Sequence, residues 1–418
     1  MSWMQAAWKP RHRRLAAGAL AAMLLPAMAR PEVSDVLVES NVAVPMRDGI
    51  YLRADVLRPR APGAYPVLVY RTPYGKAAAR AEYGIFDKAV ARGYAVVIQD
   101  VRGRFESEGE FRAYENEGRD GYDSIEWAAR QPWSNGAIGT FGLSYPGAVQ
   151  WLAAVQNPPH LKAMVPAMTF SSAQNFFFAG GTWDMSWIDW IWLNIAPDLR
   201  VKKHLPGPAT LQDAQAAWDA EAAAMHDFLP LARMPQLREV APFYYDWLGH
   251  PAQDPWWDWA DLRNKYERVH AAVLNLSGWY DDNYGPEGAT TNFNGLRKAR
   301  GGRSADTALL IGPWVHGVES TRALQSGERE FPPASAIDYD ATVLGWMDRH
   351  VRGAAGGSSR PVRYYVMGAD RWREADAWPP RAQRTAFYFA AAAGAANGTL
   401  TPTRPHAGAS SVRFVADP

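Results

Sequence analysis

Apolar and polar positions along this chain divide it into a stretch with strand and helix rhythm, a stretch without it, and a second rhythmic stretch. From Val42 to Arg71 the pattern is that of strands. Tyr51–Leu57 alternates and stops at Arg58-Pro59, and Pro66–Tyr70 is a short apolar run closed by Thr72-Pro73. Ala79–Arg92 has helical spacing and ends at Gly93; Tyr94–Ile98 is a buried strand closed by Gln99-Asp100. Asp120–Arg130 reads as a helix, Ile138–Phe141 as a strand, Ala148–Val155 as a helix and Ala163–Val165 as the next strand. Strands and helices taking turns across short links predict parallel βαβ units, hence an α/β fold.

The rhythm stops after Phe170. Residues 171–266 are helical in spacing and dense in tryptophan, with Trp183, Trp187 and Trp190 at i, i+4 and i+7, one face of a helix. We expect an inserted cap here. Sheet character returns at Ala272–Leu276 and Ala308–Ile311, and Asp338–Val351 is a helix ending at Gly353. The expected organisation is therefore a core in two parts, 30–170 and 267–353, around the insertion. After a Gly/Ser link, residues 361–418 hold strands at Val362–Met367, Thr385–Ala390 and Ser411–Val415.

The first residues follow a different logic. Lys9, Arg11, Arg13 and Arg14 precede an apolar run, Leu15–Ala29, that ends in Ala27-Met28-Ala29. This is the layout of a secretory signal peptide, expected to be cut after Ala29 and to send the protein to the periplasm or outside the cell. No later stretch is long and apolar enough for a membrane span.

Composition narrows the chemistry. Lys plus Arg is 44 and Asp plus Glu 43, a net charge of +1 that leaves no footprint for nucleic acid. With no cysteine, disulfides, thiolate metal sites and thiol nucleophiles are excluded. No phosphate-binding glycine loop or His-x-x-His pair is present, so no cofactor or metal is expected. The 19 tryptophans are the unusual count, and they suggest an aromatic pocket or a large aromatic core.

One constellation carries chemistry. Phe141-Gly142-Leu143-Ser144-Tyr145-Pro146-Gly147 lies between a strand and a helix, the setting of a nucleophile elbow, although Pro146 takes the usual second glycine and Gly147 follows one place later. A serine hydroxyl needs an imidazole to take its proton, and the imidazole needs a carboxylate. His316, in Gly312-Pro313-Trp314-Val315-His316, and Asp281, in Gly278-Trp279-Tyr280-Asp281, both follow strands, where an open α/β sheet places its site. The order Ser144, Asp281, His316 is the one an α/β-hydrolase requires. Asp282 is the rival acid, and a surface-loop role for His316 is the alternative. The oxyanion needs donors, for which the Tyr145 backbone N–H and the Tyr74 phenol are candidates; a packed loop tyrosine is the plainer reading of Tyr74.

Taken together, Arg71–Tyr74, Gln99–Arg104 with Ser107-Glu108-Gly109, Gly142–Gly147 with Gln150-Trp151, Gly278–Asp281 and Gly312–His316 resemble the cocaine-esterase-like branch of the X-Pro dipeptidyl-peptidase (S15) superfamily. The resemblance implies an α/β-hydrolase fold with a helical cap and a C-terminal β jelly roll, of which residues 361–418 are only the start. It implies that Ser144 is the nucleophile, Asp281 and His316 its partners, and Tyr74 with the Tyr145 amide the oxyanion hole. Trp151, Trp183 and Trp187 are expected to bind substrate, unless the tryptophans simply pack on one another. Relatives acting on α-amino esters or β-lactams carry acids two and three places after the catalytic Asp; this chain has Asn283 and Tyr284 there, with Asp282 and Asp184 as conceivable substitutes. The expected activity is hydrolysis of carboxylic esters, with amides as an extension, through an acyl-enzyme. The alternatives are an X-Pro dipeptidyl-peptidase, an acylase of amino esters or β-lactams, and an inactive hydrolase fold that only binds. The expected partner is a small ester or amide.

Overall fold

The computed structural model describes residues 35–302, 306–356, 360–390 and 397–404. The expected leader and the strand expected at Ser411–Val415 lie outside the described residues.

Val36–Pro45 (β1) and Tyr51–Pro59 (β2) pair antiparallel. Tyr65–Thr72 (β3) and Ala95–Asp100 (β4) follow, with Lys76–Glu82 (α1) and Ile85–Ala91 (α2) between them. The helix expected over Ala79–Arg92 is thus two short ones, parted at Tyr83-Gly84. Glu117–Ala129 (α3), Ser134–Leu143 (β5), Tyr145–Ala154 (α4) and Leu161–Ala167 (β6) continue the rhythm. Later come Ala272–Tyr280 (β7) and Thr307–Val315 (β8), joined by a helix at Glu287–Ala299 that the polar sequence there does not announce. Among the described residues, Tyr339–His350 is the last long helix.

These strands form one ten-stranded sheet in the order β1-β2-β4-β3-β5-β6-β7-β8, then Val362–Val366 and Arg371–Ala375. From β4 to Val362–Val366 every neighbouring pair is parallel. Parallel strands are covered on both faces, so they read as continuous apolar runs rather than alternating ones; β4 is buried at all six positions. This is the expected α/β architecture. One assignment changes. Val362–Val366, expected to open a separate sandwich, adds to the central sheet beside β8, and Arg371–Ala375 closes that edge antiparallel. Tyr388–Ala390 and Thr399–Thr401 form a small hairpin of their own.

Between β6 and β7 the chain makes short helices. Ala173–Phe176 (α5) is followed by Ser186–Trp190 (α6), a wide π-helical turn at Ile191–Ile195, and Ala196–Lys203 (α7); Leu211–His226 (α8) and Phe243–Leu248 (α9) come next. The expected helical face of Trp183, Trp187 and Trp190 is broken. Trp183 precedes α6, in a turn where Asp184 Oδ1 accepts the Ser186 N–H at 2.9 Å. The aromatic rings here pack on one another: Phe177 lies 4.7 Å from Trp247 and 4.5 Å from Trp257. Among the described residues no helix is long and apolar enough to cross a membrane, and no group of three or more His, Cys, Asp or Glu could hold a metal ion.

Charge is buried at the carboxyl end of β4. Asp100 is fully buried and accepts from the Lys76 backbone N–H at 2.6 Å and from Lys76 Nζ at 3.0 Å. Burial outweighs this partner and pushes the Asp100 carboxyl up to about 7. The folded chain therefore holds a proton there that the unfolded chain releases near pH 4, so this group's share of stability falls as pH rises from about 4 to 7. In Asp100→Asn that component should vanish, and thermal midpoints measured across pH 4–8 should differ from wild type in slope over this window.

Candidate active site

Three side chains follow directly on three strand ends: Ser144 after β5, Asp281 after β7 and His316 after β8. The sheet order sets β6 between the first two strands and β7 beside β8, so all three emerge on the carboxyl edge of the sheet.

Ser144 caps the start of α4 with φ 67° and ψ −126°, a region that costs a non-glycine residue roughly 1–3 kcal/mol. Its neighbours make the turn possible. A Cβ at Gly142 would stand 2.4 Å from Pro146 Cβ, and one at Gly147 would stand 2.6 Å from Ala167 O. This explains why the glycine sits one place after Pro146. The turn is held by Ser144 N–H donating to Ala167 O at 3.0 Å, and by the buried Gln150 amide, which donates to Gly142 O and Pro146 O at 3.2 and 2.8 Å.

Tyr145, first in α4, has a backbone N–H with no acceptor inside the helix, and the helix dipole adds positive potential there. Its side chain is wholly buried: the phenol donates to Glu117 Oε1 at 2.8 Å and accepts from Tyr114 N–H at 2.9 Å. Glu117 is in turn paired with buried Arg71 at 2.9 Å. Only the amide of Tyr145 is left to serve a reaction.

His316 Nδ1 and Asp281 Oδ1 are 2.9 Å apart, with the carboxylate fully buried. The same oxygen accepts from the Asn283 and Tyr284 N–H groups at 3.2 and 3.4 Å, which aims the carboxylate. Asp282 is exposed. Among the described residues no hydrogen bond joins His316 to Ser144. Tyr74 and Tyr284 are the phenols near enough to the Ser144 hydroxyl to bear on its electrostatics, and the Tyr284 ring is 5.5 Å from that of His316. Ser144 and His316 thus border the same side chain. Burial raises both phenols above their ordinary pKa, so they stay protonated at neutral pH, able to donate.

Tyr74 stands two residues beyond β3 on a loop pinned from two sides. Arg104, 1% exposed, donates to Pro73 O at 2.8 Å and to Ile195 O and Asn194 O at 2.6 and 3.0 Å. Trp190 Nε1 donates to Tyr74 Oη at 3.0 Å.

The expected substrate tryptophans fare differently. Trp151 has no exposed surface, its ring set against Tyr266, so it offers nothing to a ligand and belongs to the core. Trp183 is half-buried among Phe177, Phe178 and Tyr244. Trp187 is nearer: its ring is 4.8 Å from Phe176, which stacks on Tyr284 at 5.2 Å. The residues packed about Tyr74, Tyr145 and His316 include ones that sequence reasoning passed over as site residues: Tyr284, Tyr114, Trp190 and Arg104. Tyr284 was visible only as a missing acid, Trp190 only as one more tryptophan, and Arg104 only as part of a segment carrying the family resemblance. Beside Tyr284 opens a cleft of about 470 Å³, lined among others by Asn175, Asp281, Asp282, Glu287 and Trp378.

Comparison with known proteins places the chain in a family. The chain is 35% identical over 391 residues to a cocaine esterase of Rhodococcus sp. (strain MB1 Bresler), covering 87% of this chain and 65% of that protein. In fold it is similar to an aminopeptidase from a marine sediment archaeon (Thaumarchaeota), with TM-score 0.67 at 21% identity. It is also similar to an α-amino acid ester hydrolase, with TM-score 0.65 at 23% identity. Each of these alignments covers 86% of this chain and 62% of the other. The chain therefore spans slightly less than two thirds of the length of these proteins. Residues 48–318, which hold every strand end described above from Thr72 to Val315, match the sequence pattern of the X-Pro dipeptidyl-peptidase (S15) family, and the chain belongs to that family.

Proposed function

We propose that the protein is a serine hydrolase that cleaves carboxylic esters through an acyl-enzyme. The observation that carries this reading is a strained serine at a helix start, on the same carboxyl edge of the sheet as an aspartate-held imidazole. Apo hydrogen bonds between nucleophile and base are often loose and tighten when substrate binds, so the absent Ser144–His316 contact is compatible with it.

In this mechanism Ser144 Oγ attacks the ester carbonyl carbon while His316 takes the hydroxyl proton. Asp281 holds the imidazole with its second nitrogen toward the serine and stabilises the imidazolium. Negative charge on the carbonyl oxygen is met by the Tyr145 N–H and the Tyr74 O–H. His316 returns the proton to the departing alcohol, leaving Ser144 acylated. Water, deprotonated by His316, then releases the acid and restores the serine. The likeness to a cocaine esterase supports an ester as substrate, and the wall of Tyr284, Phe176, Tyr114 and Trp190 suits an uncharged, bulky acyl or alcohol group.

The second reading, release of X-Pro dipeptides, has one observation in its favour: Asp282 and Glu287 line the cleft beside Tyr284 and could hold a free N-terminus. Comparing an X-Pro nitroanilide with a nitrophenyl ester separates the two. We expect kcat/KM for the ester to exceed that for the anilide by at least a hundredfold, and the reverse order would select the peptidase.

Ser144→Ala should lower kcat for the ester by roughly 10⁵-fold and abolish labelling by a fluorophosphonate; retained turnover would overturn the assignment of Ser144. Asp281→Asn should also lose several orders of magnitude through the wrong imidazole tautomer, whereas Asp282→Asn should keep ester turnover within about threefold.

A further inference from the structure

The oxyanion phenol does not orient itself. A tyrosine hydroxyl has one proton to give and lone pairs to receive, so an unconstrained phenol can turn its proton away from the reacting carbonyl. An indole N–H is a donor only. Trp190 Nε1 lies 3.0 Å from Tyr74 Oη, so the phenol can be nothing but an acceptor on that side. The proton must then lie away from the indole, and the Ser144 hydroxyl is a polar neighbour that bears on the phenol. A donor already seated on the phenol oxygen also polarises its O–H bond, which strengthens donation to a forming oxyanion.

The indole is itself well fixed. Its ring lies nearly parallel to Tyr114 at 6.3 Å and 19°, and to Tyr145 at 6.1 Å and 16°. Tyr145 is anchored in turn by Glu117, so the Trp190 ring is referenced to the same helix start that presents Ser144. On the chain, Trp190 ends α6 and leads into the wide turn whose Asn194 and Ile195 carbonyls hold Arg104. Arg104 holds Pro73 O, one residue before Tyr74. The segment between β6 and β7 therefore grips the Tyr74 loop twice, once at the backbone and once at the phenol.

We propose that Trp190 is a positioning residue for catalysis: its N–H fixes the direction in which the Tyr74 hydroxyl donates. This rests on the reading of Tyr74 as an oxyanion donor, and the test separates the two claims. Steady-state kinetics on p-nitrophenyl acetate are measured for wild type, Trp190→Phe, Tyr74→Phe and the double variant.

Tyr74→Phe should lower kcat about a hundredfold, as loss of one oxyanion donor does. Trp190→Phe should lower kcat and kcat/KM together by about tenfold, with KM within twofold, because the contact matters only once the oxyanion forms. Added to Tyr74→Phe, it should cost nothing further. An unchanged kcat in Trp190→Phe, or the same tenfold loss with and without the Tyr74 hydroxyl, would overturn the proposal while leaving Tyr74 in place. An unchanged kcat in Tyr74→Phe would instead overturn the oxyanion reading and this inference with it. Should Trp190→Phe fail to fold, benzothienylalanine at position 190 keeps the fused ring and lacks the N–H. The same tenfold loss is then expected, and full activity would sink the proposal.

Discussion

A serine backbone held at positive φ between a strand and a helix is the constraint from which the rest of this site follows. Such a turn brings backbone atoms of β5, β6 and α4 so close that positions 142 and 147 have no room for a side chain. Strain of this kind persists only where the surroundings over-determine it. Here the buried Gln150 amide ties α4 to carbonyls of β5 and β6, and Ala167 takes the serine N–H. The return on the strain is geometric. The hydroxyl stands clear of the sheet edge, and the next amide, at the helix start, is left without a backbone acceptor.

Buried charge serves the same end. Arg71 with Glu117 and Arg104 with its three carbonyls lie close to the ends of β3 and β4 or to the start of α4. Burying ions contributes little net stability, and removing one partner is costly because the other is stranded. Their value is that each has few acceptable arrangements. Burial draws the Arg104 guanidinium down to about 10, still charged at neutral pH, so it must keep its carbonyl partners, and the Tyr74 loop is held with them. Residues distant in sequence, 73 and 195, are thereby fixed relative to one another.

The immediate wall around Ser144 is phenolic and aromatic rather than acidic. Tyr284 stacks on Phe176, and its ring is 5.5 Å from that of His316. The acids of this region, Asp282 and Glu287, are displaced outward to the adjoining cleft. The aromatic segment between β6 and β7 has a double task. Phe177, Trp247 and Trp257 hold it together, while Trp190 and the Ile191–Ile195 turn face the loops that carry Tyr74 and Arg104.

Periodicity in the chain was enough to place the parallel strands, because strands covered on both faces read as continuous apolar runs, as Ala95–Ile98 of β4 and the middle of β3 do. The punctuation at Gly142-Leu143-Ser144, Asp281 and His316 was equally legible, since a residue directly after a buried strand has one place to go in an α/β sheet, the carboxyl edge. The helix at Glu287–Ala299 was not, because its polar composition shows no apolar run. Nor was the fate of Val362–Val366, since a short strand is the same in a sandwich or at a sheet edge until its neighbour is known. Which tryptophan matters was also beyond the sequence. Trp151, Trp183, Trp187 and Trp190 are chemically identical, and only packing makes the first a core filler and sets the last one's N–H on Tyr74. Local pattern decides where an element forms and which end of it carries chemistry; contacts between segments more than a hundred residues apart are decided by tertiary structure, because distance along the chain says nothing of distance in space.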